Sequence, residues 1–115
     1  MTLDEFRLEM TSYWQSADDE ARSLKDPHVS LERMHALYRK FDASERRLAD
    51  HVIGEWALSK DDGLRFDACA LIDDLKISTA VPTLKKLVKC LAASRTPGAA
   101  DEQEIVERII AGLTG

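Results

Sequence analysis

The sequence predicts an all-α fold of about six helices arranged as stacked antiparallel hairpins, and three observations carry that expectation. Apolar residues recur at helical spacing through almost the whole chain. Capping residues, prolines and glycines punctuate that pattern at regular stops. The pattern of one hairpin then returns about 34 residues along, within the range that marks helical arrays.

The first helix is expected from Leu3, because Thr2 and Glu5 have capping-box spacing. Its apolar stripe is Leu3, Phe6, Met10, Tyr13, Trp14, Ala17, Ala21 and Leu24, with Asp18, Asp19 and Glu20 on the outer side. Lys25, Asp26 and Pro27 break it, since proline cannot continue a helix and disfavours the helical conformation just before it. Ser30 offers a fresh cap for a second helix with Leu31, Met34, Leu37, Tyr38 and Phe41 on one face. Asp42 and Glu45 again have capping-box spacing and open a third helix. That helix turns Leu48, Ala49, Val52, Ile53 and Trp56 inward and runs to about Ser59; Gly54 inside it costs helix propensity but leaves room for a neighbouring backbone or a partner to approach closely.

The best-formed hairpin spans Asp61 to Ser94. Asp61 or Asp62 caps a fourth helix carrying Leu64, Ala68, Leu71, Ile72 and Leu75 on one face. Asp73 and Asp74 fall near its end, where the helix dipole disfavours them and Lys76 partly compensates. After the turn at Ile77, Ser78 and Thr79, Pro82 sits in the first turn of a fifth helix with Leu84, Leu87, Val88 and Leu91 inward. The loop Arg95, Thr96, Pro97, Gly98 precedes a sixth helix from near Ala100, defined by Ile105, Val106, Ile109, Ile110 and Leu113. Phe66 and Leu8 lie off their stripes; Phe66 is expected to be packed between layers, and if exposed it becomes an interface anchor. Trp14 and Trp56 are expected in the core.

At 115 residues the chain reads as one domain over 1–115, long enough to bury roughly two thirds of its unfolded surface without a metal or disulfide. No apolar run approaches the ~20 residues of a membrane span, and the first residues lack the signal-peptide pattern, so a cytoplasmic protein is expected. Cys69 and Cys90 lack metal-ligand spacing and read as buried, reduced thiols. A net charge of −5 argues against a nucleic-acid partner and for a basic protein.

The second and third helices align with the fourth and fifth: Met34, Leu37 and Phe41 fall over Ala68, Leu71 and Leu75. The segment LRFDACALIDDLKISTAVPTLKKLVKCL, with an Arg and a small residue in its first helix, a short turn and a Val-Pro opening its second, resembles a HEAT-like repeat. That resemblance implies a right-handed α-α superhelix. With its LKDP break and the FDA recurring at Phe41–Ala43 and Phe66–Ala68, the whole chain is also similar to small bacterial all-helical immunity-type proteins. This similarity implies binding and neutralising a cognate toxin, with no cofactor and a monomeric free state.

Catalysis finds little footing in the residues. His51 and Glu55 stand one turn apart with Asp50 nearby, but catalytic zinc takes three protein ligands, and no nucleophile elbow or phosphate loop accompanies them. The expected function is therefore non-catalytic protein binding, as an immunity protein or alternatively as an adaptor or scaffold, with a small helical enzyme using His51 and Glu55 as the remaining class. Candidate contacts are Arg46 and Asp50 on the third helix, Phe66, the acids at turns and helix starts Asp61, Asp62, Asp73, Asp74, Asp101, Glu102 and Glu104, and Lys85, Lys86 and Lys89 on the fifth helix. The turn acids suit a basic partner such as a toxin domain and the lysines an acidic one.

Overall fold

The computed structural model describes residues 2–115, and among these every regular element is helical. The order is α1 (Leu3–Leu24), α2 (His28–Lys40), α3 (Ala43–Trp56), α4 (Asp62–Leu75), α5 (Val81–Ala93) and α6 (Ala99–Thr114), with a 3-10 turn at Ser78–Ala80. The expected all-α fold of six helices is what the chain adopts. Its contacts cluster into two units that divide between Val52 and Ile53, with α3 running across the division.

In the first unit, the Thr2 hydroxyl accepts from the Glu5 N–H at 3.2 Å and donates to Glu5 Oε1 at 3.0 Å, which fixes the start of α1. Phe6, Met10, Trp14, Ala17 and Ala21 are buried along one face of α1. Tyr13 and Leu24 do not join them: Tyr13 lies at the edge of that stripe and Leu24 in the last turn, and both are exposed. The helix closes in a Schellman motif, with Asp26 N–H donating to Ala21 O at 3.0 Å and Lys25 N–H to Arg22 O at 3.2 Å, around Lys25 in the left-handed region.

The second helix starts earlier than expected. Pro27 already has helical φ and ψ of −67° and −13°, and Asp26 Oδ1 accepts from the His28 N–H at 3.0 Å, so Ser30 is a buried residue inside α2 rather than its cap. Met34 is buried from α2, while Phe41 at its end places its ring 5.2 Å from that of Phe6. Asp42 and Glu45 form the expected reciprocal box, Glu45 N–H to Asp42 Oδ1 at 2.8 Å and Asp42 N–H to Glu45 Oε1 at 3.1 Å.

In the second unit, Ile53 and Trp56 of α3 are buried together with Ala57. The helix stops at Trp56, short of Ser59, because Leu58 and Ser59 donate to residues three back and tighten the last turn. Gly54 is buried, yet a Cβ built on it meets no atom within 4 Å beyond its own stretch of helix, so no neighbouring backbone of the chain uses the close approach that its size allows.

Asp61 caps α4 by accepting from the Leu64 N–H at 3.1 Å. Ala68, Leu71 and Ile72 of α4, Ile77, and Leu84, Leu87 and Leu91 of α5 make up the buried interior with Val106 and Ile109 of α6. A second Schellman motif ends α4 around Lys76, with Ile77 N–H donating to Ile72 O at 3.0 Å and the Ile77 side chain buried behind it. Pro82 occupies the first turn of α5, where its missing N–H leaves no gap in the helix. The sixth helix packs chiefly along α5 and more lightly on α4. No helix among the described residues is long and apolar enough to cross a membrane.

Candidate partner-binding site

On α4, Phe66, Cys69, Ala70 and Asp73 share one face by their three- and four-residue spacing, and Glu102, Ile105, Val106 and Ile109 do the same on α6. Between these faces lies a groove of about 360 Å³, which Asp74 and Arg108 also line. Small side chains at Cys69 and Ala70 leave the floor open. Phe66 and Ile105 stand on it largely uncovered, at 68 % and 46 % exposure. This corrects the expectation that Phe66 is packed between layers: its position is off the Ala68–Leu71–Ile72 face that α4 turns into the core.

The beginning of the groove is held by Arg65. Its Nε donates to Glu102 Oε2 at 2.6 Å and its Nη2 to Glu102 Oε1 at 3.0 Å, joining the first turns of α4 and α6. The hydrogen bond to Glu102 also raises the guanidinium pKa above its already high ordinary value. At the other end Asp73 and Asp74 sit beside the C-terminal carbonyls of α4, a site of partial negative charge, and Lys76 Nζ reaches Asp73 Oδ1 only at 3.7 Å.

The charge of the chain is distributed unevenly. Each of α4 and α6 carries four carboxylates and one arginine, so the two helices hold a formal −6 against −5 for all 115 residues, and everything outside them sums to +1. The net acidity that the composition shows therefore sits on the two helices that border the groove, and of their carboxylates Asp73, Asp74 and Glu102 line it, together with Arg108. Lys85, Lys86 and Lys89 are exposed on α5 and do not line it.

No family model, no curated protein and no solved structure matches this chain. The site is accordingly read from its own chemistry.

The remaining expected contact residues have other surroundings. Asp61 is the cap of α4, and Asp62 pairs with Arg65 Nη2 at 2.6 Å. Asp50 accepts a hydrogen bond from the Tyr38 hydroxyl at 2.8 Å, and Arg46 lies with Cζ 5.3 Å from the Tyr38 ring centroid, so these two belong to a strut between α2 and α3. Burial and the Asp50 hydrogen bond push the Tyr38 phenol up to about 12, and burial likewise raises the Asp50 carboxyl. His51 and Glu55 are exposed on α3, and among the described residues no group of three or more His, Cys, Asp or Glu is placed to hold a metal ion.

The cysteines divide: Cys69 is buried, its thiol pushed up to about 11 by burial, whereas Cys90 is exposed, contrary to the expectation for both. A larger but more open concavity of about 610 Å³ on the first unit is lined by Leu8, Tyr13 and the ion pair of Arg33 with Glu20 at 2.6 Å. Glu102, one of the turn acids that the sequence offers to a basic partner, does line the groove, whereas Ile105 on its wall and Arg65, which braces Glu102, are not among the contacts expected from the sequence. Ile105 carried a signal, since it widens the stripe of α6 beyond the face that its repeat partners share.

Proposed function

We propose that this chain is a non-catalytic protein-binding module, a HEAT-like immunity-type protein that acts in the cytoplasm by covering a basic domain of a toxin through the α4–α6 groove. The observation that carries the reading is the coincidence of two exposed large apolar side chains, Phe66 and Ile105, with the two helices that hold the chain's whole acidic excess. Apolar anchors supply affinity at the centre of protein interfaces, and complementary charge around them speeds encounter and selects the partner. The floor offers no side chain of the nucleophile–base kind: Cys69 is a buried thiol held protonated well above neutral pH.

Co-expression with the protein encoded beside this chain in its source genome tests the proposal. The expected result is rescue of growth together with co-purification of a one-to-one complex. Absence of both, at good expression of the folded chain, overturns it.

A further inference from the structure

We infer that the element seated in the groove is a basic amphipathic α-helix of the partner; this rests on the protein-binding reading above. The shape argues for a helix. Both walls are helices that present residues at three- and four-residue spacing, so a third helix can set its own ridges between theirs as α6 already does against α5. From Phe66 to Asp73 the α4 wall spans eight residues, about 10 Å or two turns from first to last, which matches an anchor set at i, i+3 or i+4, and i+7. An added strand has no counterpart, because the described residues contain no sheet edge to extend.

Charge then selects the kind of helix. Asp73, Asp74 and Glu102 line the groove against Arg108, within two helices of formal −6, so the docked helix needs lysine or arginine flanking its apolar stripe, above all at the end that meets Asp73 and Asp74. A second copy of this chain fits poorly as the occupant. Pairing groove to groove brings two acidic faces together, and the lysine-bearing helix α5 has its leucines Leu84, Leu87 and Leu91 buried, leaving no apolar stripe to insert.

The test is selection of a displayed library of random peptides about 18 residues long, or five helical turns, on the immobilised full chain. Enriched peptides are then titrated by fluorescence anisotropy against wild type, Phe66→Ser and the pair Asp73→Lys with Asp74→Lys. Circular dichroism verifies that each variant keeps its helicity. The expected result is enrichment of net-positive sequences with apolar residues at i, i+3 or i+4, and i+7. Their affinity should fall about tenfold or more in each variant and weaken as salt is added. No enrichment, acidic or non-periodic consensus sequences, or indifference to Phe66→Ser would overturn the inference. So would light scattering that shows a dimer of wild type lost in Phe66→Ser. If the one-to-one complex of the co-expression test forms while no helix is selected, the helical occupant is wrong and protein binding stands; if that complex fails, the broader reading falls.

Discussion

Arg65 and Glu102 form a two-pronged ion pair, Nε to Oε2 at 2.6 Å and Nη2 to Oε1 at 3.0 Å, that ties the first turn of α4 to the first turn of α6. The same guanidinium also donates to Ser59 O at 3.0 Å and to Asp62 Oδ1 at 2.6 Å, so one side chain gathers the α3–α4 connection, α4 and α6. Lysine cannot reproduce that planar fork. Arg65→Ala is therefore expected to lower stability by about 2 kcal/mol, a value for charged hydrogen bonds in a partly buried site, and Arg65→Lys to recover only part of it. Urea unfolding measures this as a shift of midpoint at constant slope. A loss indistinguishable from that of an exposed pair would mean that the fork is ornamental.

Two backbone positions should each gain from substitution. Gly54 lies inside α3 with no atom within 4 Å of an added Cβ, so Gly54→Ala is expected to stabilise by about 1 kcal/mol through helix propensity. Lys76 holds φ at 55° in the Schellman motif that ends α4, where glycine carries no Cβ penalty; Lys76→Gly should gain about 1 kcal/mol. Thermal unfolding of the two variants and their combination reads both effects. A gain at neither position would contradict the local geometry.

Tyr38 gives a pH signature. Its phenol has an ordinary pKa of 10.0 and is pushed up to about 12 in the folded chain, by burial first and by Asp50 second. Because the folded-state value is the higher one, the folded chain holds this proton more tightly. The contribution to stability is fully present below pH 10.0 and is lost as pH rises toward about 12. Ultraviolet difference titration of wild type against Tyr38→Phe isolates this phenol, and Asp50→Ala should move its midpoint down. An unmoved midpoint would show that Asp50 exerts no hold on it.

Most of the fold could be read from the sequence because its signals are local. The boxes at Thr2–Glu5 and Asp42–Glu45, the break at Pro27 and the cap at Asp61 act within four residues of chain, and each works where the spacing places it, save that the break at Pro27 also begins α2. Ser30 misled because a cap is recognised by residue type, whereas the backbone of Pro27 had already entered the helix. The groove was legible only in part. Asp73, Asp74 and Phe66 stand out in the sequence by their charge and position, but the exposure of Phe66 depends on what α6 leaves uncovered. The fork of Arg65 joins residues 37 apart in sequence, a separation at which no periodicity points to a partner.

The two thiols should differ sharply in reactivity. The thiolate is the reactive form; Cys69 is buried with its pKa pushed up to about 11, and Cys90 is exposed. Labelling with a chromogenic disulfide near neutral pH is expected to consume one thiol per folded chain, which Cys90→Ser removes, and two after unfolding. Two fast thiols in the folded state would mean that α4 opens on the timescale of labelling.

In the proposed complex charge selects the landing site, since the carboxylates of the groove and the lysines of α5 would recruit opposite partners. The most direct measurement is the dissociation constant of the partner complex for wild type, for Asp73→Lys with Asp74→Lys, and for Lys85→Glu with Lys86→Glu. The account predicts that the first pair weakens binding about tenfold or more while the second stays within about twofold. Weakening by the lysine pair alone, or by neither, would contradict the groove as the site of binding.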